Sequence, residues 1–181
     1  MKHPLRWLAA GIGLVVVAFA VVLAVQDDGP RQTGGRLLGQ EMPAFDLPTL
    51  DGGRVTSEDL AGKTVVVNFW NSWCIPCRQE EDELAAFYER HRDDGDVALL
   101  GVVRDDTEQA AREYAEQAGL GWTVALDPEQ QAALDFGTTG QPETFVVAPD
   151  GLVTGVQLGP TSLGQLEQML EEARTGAPSA P

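Results

Sequence analysis

The chain reads in two regimes of hydrophobic patterning. Residues 7–25 carry no charge and are mostly Val, Ala, Leu and Gly. A run of roughly 20 apolar residues matches the hydrocarbon thickness of a bilayer. From residue 41 onward the apolar residues come in short runs separated by Gly, Pro and Asp clusters. That is the pattern of strands and amphipathic helices in a folded domain. Residues 64–70, Thr-Val-Val-Val-Asn-Phe-Trp, are β-branched and aromatic without a charge, which predicts a buried strand. Further strands are expected at 97–103 and 122–126, and a hairpin of 144–147 and 152–158 around Pro149-Asp150-Gly151. Upstream, 43–50 and 54–56 flank Asp51-Gly52-Gly53, a second hairpin. Ser57 is placed to cap a short turn ending near Leu60, with Gly62 as its stop.

Helices are expected in between. One spans 78–91, its buried stripe marked by Leu84, Phe87 and Tyr88. One is capped by Thr107, runs through Ala118 and stops at Gly119 and Gly121. A short one opens at Asp127-Pro128-Glu129, with Asp127 as cap and Pro128 at the first position, and runs through Phe136. The last is capped by Thr161 or Ser162 and reaches about Arg174. Strands and helices alternate first and an antiparallel hairpin closes the chain, which predicts an α/β domain with a mixed sheet and helices on both faces.

Charge orients this layout. Lys2 and Arg6 precede the apolar run and Asp27 and Asp28 follow it. Basic residues directly before the run, with acidic ones directly after it and Arg31 and Arg36 only further on, place the N-terminus in the cytoplasm and the remainder outside. The expected organisation is a cytoplasmic stub at 1–6, a transmembrane signal-anchor at 7–25, a linker at 26–40, one domain at 41–174 and a loose tail at 175–181. A cleaved signal peptide is the alternative. Its apolar region is usually about 7–15 residues, and the small-residue pattern Ala18-Phe19-Ala20 lies inside the run. Either way the domain is exported to the outer face of the cell membrane. Beyond the run stand ten basic and all 28 acidic residues, a net charge of −18. Such a surface repels nucleic acid and anionic lipid.

The chemistry lies in Trp73-Cys74-Ile75-Pro76-Cys77, which holds the only two cysteines in the chain. It follows the predicted central strand and opens the predicted helix. A helix start carries unpaired N–H groups and partial positive charge, which favours thiolate at Cys74. Cys77 lies one turn further in, placed to close the disulfide or resolve a mixed one. Pro76 fits the first turn, where a missing N–H costs little. A ring this short constrains the unfolded chain too little for a purely structural disulfide. Structural zinc needs four ligands, and the only histidines are His3 and His91. Neither a metal nor an organic cofactor is therefore expected. Thiol–disulfide exchange is the reading that strand, turn, proline and helix share.

Glu80 follows Cys77 by three positions and precedes Leu84 by four, so helical spacing puts it beside Cys77 near the apolar stripe. A buried carboxyl there has a raised pKa and can carry a proton during exchange. Its alternative is a place in the solvated acidic run that continues through Glu81, Asp82 and Glu83.

Asn68-Phe69-Trp70-Asn71-Ser72-Trp73-Cys74-Ile75-Pro76-Cys77 resembles a thioredoxin-fold active site. With Pro43-Ala44-Phe45-Asp46-Leu47, Leu50-Asp51-Gly52, Asp59-Leu60-Ala61-Gly62-Lys63 and Gly140-Gln141-Pro142-Glu143-Thr144-Phe145-Val146-Val147, the wider pattern resembles the membrane-anchored TlpA/ResA/CcmG (DsbE) group of thiol-disulfide oxidoreductases. The resemblance implies a thioredoxin-like fold with an N-terminal β-hairpin extension and a helical insertion. It implies an acid three residues after the second cysteine, at Glu80. It also implies a cis-proline at Pro142, although only about 5–6% of X–Pro bonds are cis. In the family, that loop pairs with substrate backbone, which makes Gln141 and Pro142 substrate-binding together with Trp73 and Pro76. Core packing is the other reading of Trp73. Thioredoxins carry a buried Asp where this chain has Asn68, so that proton route is absent.

By the same resemblance the substrates are protein thiols and disulfides, apocytochrome c among them, and the electrons come from a membrane donor of the DsbD or CcdA type. An oxidase would use the same two cysteines. A copper carrier would need a nearer histidine than His91, and a peroxidase would need a Pro-x-x-x-Thr-x-x-Cys pattern, which is absent. A redox-inert adaptor is the non-enzyme alternative.

Overall fold

The structure, a computed structural model, describes residues 37–176. The expected stub, the anchor at 7–25, most of the linker and residues 177–181 lie outside the described residues. Among the described residues no helix is long and apolar enough to cross a membrane.

Five strands form the central sheet. β3 (Thr64–Trp70) lies in the middle, flanked by β4 (Val97–Arg104) and β6 (Glu143–Val147). β5 (Thr123–Asp127) and β7 (Val153–Leu158) form the edges, in the order β5-β4-β3-β6-β7. β3 runs parallel to β4, which runs parallel to β5; β6 is antiparallel to both β3 and β7. A separate hairpin, β1 (Asp46–Pro48) and β2 (Arg54–Thr56), precedes it.

Every residue of β3 is buried, and the two-residue period of a strand divides them between two cores. Val65, Val67 and Phe69 face one side, against the hairpin and α3 (Gln131–Asp135). There Phe69, Phe136 and Phe145 meet with centroids 5.1–5.8 Å apart, contacts worth about 0.5–1.5 kcal/mol per pair beyond area burial. Val66 and Trp70 face the other side, against α1 (Glu81–His91), α2 (Glu108–Ala118) and α4 (Leu163–Thr175). Asn68 lies between those two, so its amide points toward α1. The expectation of helices on both faces is met unevenly, because the hairpin covers much of the face that has only α3.

Three local expectations are corrected. The helix expected over 78–91 is broken. Cys77–Gln79 is a 3-10 turn, Glu80 stands at the junction with φ −101° and ψ −3°, and the α-helix begins at Glu81. Pro128 is not the first helical residue. The strand β5 reaches Asp127, Gln130 takes a left-handed conformation, and α3 starts at Gln131. Asp127 still caps that helix, but from further back, accepting the N–H groups of Ala132 and Ala133 at 3.3 and 2.8 Å. Ser57 makes no capping bond; Asp59 instead accepts the N–H of Thr56 at 2.9 Å. At the other helix starts, Thr107 caps α2 and Ser162, through a capping box with Gln165, caps α4.

Candidate active site

The turn after β3 carries Cys74 and Cys77, which form a disulfide with Cα atoms 5.3 Å apart. The turn is pinned to the loop after β4. Asp106 accepts the N–H of Ser72 at 2.6 Å, and the Trp73 indole N–H donates to the carbonyl of Asp105 at 3.2 Å. Arg78 donates to the carbonyl of Ser72 at 3.0 Å while its guanidinium lies over the Tyr114 ring, 5.2 Å from the centroid. Because the α-helix starts only at Glu81, no long helix points its first turn at Cys74. The local donor is the backbone N–H of Cys77, 3.1 Å from the Cys74 sulfur. Both cysteines are buried, at 3% and 6% exposure, so accessibility in the disulfide form does not rank them.

Trp73 is not core. It is 57% exposed, with Ile75 at 73% beside it, so an apolar rim surrounds the disulfide. Pro76 is exposed on the same turn, in helical conformation at φ −62°.

Glu80 is buried, with 1% exposure. One carboxylate oxygen accepts the Asn68 amide at 2.7 Å; the other accepts the backbone N–H of Thr161 at 2.8 Å. Asn68 also donates to the hydroxyl of Thr144 at 3.0 Å, its register partner on β6. Burial pushes the Glu80 carboxyl up to about 7, and the bonds from Thr161 and Asn68 pull the other way. Glu80, Cys77 and Asn68 line one narrow cavity of about 20 Å³ behind the disulfide. Glu81 and Tyr114 line it too, and the Tyr114 hydroxyl donates to Glu81. Burial first, and then Glu81, hold the Tyr114 phenol above its ordinary range.

The Gln141–Pro142 peptide bond is cis. The antiparallel register pairs Glu143 with Phe69, so Pro142 stands level with the end of β3, where the cysteine turn begins. Pro142 is buried and its carbonyl accepts the N–H of Gly159 at 2.9 Å; Gln141 is half-buried. Glu143, also buried, holds the approach to this bond. One of its oxygens accepts from the Thr139 N–H and hydroxyl and from the Gly140 N–H at 2.8–2.9 Å. His91 lies at the far end of α1, its ring nitrogens 2.7 Å from Asp94 and 3.1 Å from Glu167.

The structure therefore gathers Trp73, Cys74, Pro76, Cys77, Glu80, Gln141 and Pro142 at one end of the sheet. Sequence spacing missed Asn68 as the partner of Glu80, the Thr161 N–H, Tyr114 and Glu143. Backbone donors from distant segments leave no mark in a sequence. Asn68 had one signal: a single polar residue inside an otherwise apolar central strand.

Comparison with known proteins agrees with this geometry. A profile of the AhpC/TSA family matches residues 38–156. The thiol-disulfide oxidoreductase ResA of Bacillus anthracis is 32% identical over 135 residues, covering 75% of this chain and 78% of that one. The thiol:disulfide interchange protein DsbE of Allochromatium vinosum is 33% identical over 152 residues, covering 82% of each. The crystal structure of a DsbE from Chlorobium tepidum superimposes with a TM-score of 0.69 at 29% identity, over 75% of this chain and 96% of that one. With a CxxC disulfide on a thioredoxin-like fold and these relatives, the chain belongs to the AhpC/TSA family, as a thiol-disulfide oxidoreductase of the ResA and DsbE type.

Proposed function

We propose that this chain is a reductase of exported protein disulfides, tethered outside the cytoplasmic membrane by residues 7–25, with 26–40 as linker, 41–174 as the working domain and 175–181 as a loose tail. Its substrate in this reading is the CxxCH segment of apocytochrome c, which must be dithiol before haem attachment. Its electrons come from a membrane dithiol donor of the DsbD or CcdA type. Lys2 and Arg6 directly before residues 7–25, with Asp27 and Asp28 directly after, support the placement; the names of the relatives, a thiol-disulfide oxidoreductase and a thiol:disulfide interchange protein, support the exchange chemistry.

One observation carries the direction: the buried Glu80 carboxyl behind Cys77. A carboxylate there opposes a second negative charge on the thiols. A couple whose reduced form is stabilised as thiolate is oxidising, the case of DsbA. A site that disfavours thiolate biases the couple the other way, toward a reductant.

The Cys74 thiolate attacks one sulfur of the substrate disulfide. That S–S bond breaks, a mixed disulfide forms, and the released substrate thiolate takes a proton from solvent. Cys77 gives its proton to the Glu80 carboxylate and attacks the Cys74 sulfur. The mixed disulfide breaks, the second substrate thiolate leaves with the proton held by Glu80, and Cys74–Cys77 is oxidised by two electrons while the substrate is reduced by two. Trp73 and Ile75 supply apolar contact, and the backbone at Gln141–Pro142 receives an extended substrate segment as an added strand. The potential of the Cys74–Cys77 couple tests the direction. A value near or below the about −270 mV of thioredoxin supports a reductase; a value near the about −120 mV of DsbA makes the chain an oxidase.

A further inference from the structure

We propose that Arg104 is a positioning residue for the substrate, joining the turn that carries the cysteines to the loop that leads to Pro142. Arg104 is the last residue of β4. Its predecessor Val103 pairs with Trp70, so Arg104 stands level with the first residue of the cysteine turn. Its carbonyl accepts the Asn71 amide at 3.4 Å. Its side chain reaches the other half of the site. Nη1 donates to the Thr138 hydroxyl at 2.6 Å and, at a long 3.4 Å, to the carbonyl of Gly140; Nη2 reaches the side-chain oxygen of Gln130 at 3.5 Å.

All three side-chain partners are neutral. In a chain of net charge −16, this half-buried guanidinium carries a desolvation cost without a carboxylate among these partners to offset it. The property its contacts use is shape: a planar fork that reaches several acceptors at once, which the single ammonium of a lysine does not reproduce. Its long contact with Gln130 falls just before α3, whose start Asp127 already caps. The effect falls instead on 138–140. That run is gripped from one side by Arg104 and from the other by Glu143, which takes the Thr139 and Gly140 N–H groups at 2.9 Å. The next two residues are Gln141 and Pro142. The proposal rests on the reading that their backbone receives substrate. Arg104 touches neither cysteine sulfur nor substrate; it sets the distance between the nucleophile's turn and the strand-pairing edge.

The test compares two disulfides in the full-length protein. One is 5,5′-dithiobis(2-nitrobenzoate), too small to pair along the loop; the other is a synthetic peptide with an intramolecular Cys-x-x-Cys-His disulfide. Pre-reduced wild type, Arg104→Gln and Arg104→Lys are reacted with both in single turnover, the protein's own dithiol being the reductant. The expected result is a loss on the peptide that exceeds the loss on the small reagent by about tenfold, carried in the half-saturating peptide concentration of the single turnover rather than in its limiting rate, the scale of one or two hydrogen bonds. Arg104→Lys, which keeps the charge and loses the fork, should behave like Arg104→Gln. Full rescue by lysine, or equal losses on both disulfides, or no loss on either, overturns the role. A wild type that reacts with the small reagent but never with the peptide overturns the substrate-pairing reading itself, and Arg104's role with it.

Discussion

The carboxylate of Glu80 and the amide of Asn68, 12 positions apart in sequence, meet at 2.7 Å behind the redox disulfide. The contact joins the central strand to the junction between the 3-10 turn and α1. It leaves the carboxyl titrating at about 7, since burial outweighs the two bonds that favour its charge. Near neutral pH, Glu80 is therefore able both to take and to give a proton.

Glu80→Gln should lower the apparent pKa of Cys74 and remove part of the pH dependence of exchange near pH 7, read from thiolate absorbance in the reduced protein. Stability gives an independent readout. The folded-state pKa is raised above the unfolded value of 4.5. Between pH 4.5 and 7 the folded protein thus binds more protons than the unfolded one, and stability falls as pH rises through that window. The whole effect is about 3 kcal/mol at most. Glutamine also turns its NH₂ toward one of two donors, which costs about 1–3 kcal/mol at any pH. The diagnostic is therefore the slope between pH 4.5 and 7, which should flatten in the variant. The control is exposed Asp82→Asn, because Glu81 is engaged by Tyr114. An unchanged slope in Glu80→Gln would remove the basis for its role as proton carrier.

Asn68→Asp should be more damaging than its size suggests. It replaces the donor to Glu80 with a second carboxyl at hydrogen-bond distance, and it removes the donor to Thr144. Two buried carboxyls that close do not both ionise, so they should share a proton and titrate as a pair, with one apparent value well above that of Glu80 alone. Urea unfolding should show a loss of about 2–4 kcal/mol at pH 8 and a clearly smaller one at pH 5, where the pair holds its proton. Equal losses at both pH values would show that the damage comes from packing rather than charge.

Much of the fold is legible because local and tertiary preferences agree. The uninterrupted β-branched and aromatic run at Thr64–Trp70 forms β3 over those same residues. Thr107 and Ser162 cap where a hydroxyl precedes a periodic run. Legibility fails where a distant group overrides the local preference. Nothing in Arg78-Gln79-Glu80-Glu81 signals a break, and glutamate is a good helix former. The break comes at the residue whose side chain is held by Asn68 and by the Thr161 N–H. Of the two hydroxyl residues before α4, Ser162 caps it, and the Thr161 N–H binds Glu80 instead. The spacing of Cys74, Cys77 and Glu80 marks those residues in sequence. The cis bond at Pro142 is visible there only through family resemblance.

Topology is tested apart from chemistry. A reporter active only outside the cytoplasm, fused after Gln40, should give signal, since Lys2 and Arg6 precede the apolar run and Asp27 and Asp28 follow it. The full-length protein should stay in the membrane fraction after a high-salt wash. Recovery of a soluble form whose first residue lies at or near Gln26 would establish a cleaved signal peptide, and the tether would be withdrawn.

The division of labour between the cysteines rests on their surroundings, not on exposure. Cys74 receives the N–H of Cys77 at 3.1 Å, a bond that strengthens when the sulfur is charged. Cys77 lines the cavity shared with Glu80, whose charge opposes a thiolate there. In the reduced protein at pH 7, iodoacetamide should therefore modify Cys74 at least about tenfold faster than Cys77, the scale of one hydrogen bond to a charged group. Peptide mapping of partly alkylated protein reads that ratio directly. Cys77→Ser should then accumulate mixed disulfides through Cys74, because the resolving attack is gone, while Cys74→Ser should accumulate few. If Cys77 is the faster thiol, the order of attack reverses and Glu80 lies behind the nucleophile rather than the resolving cysteine.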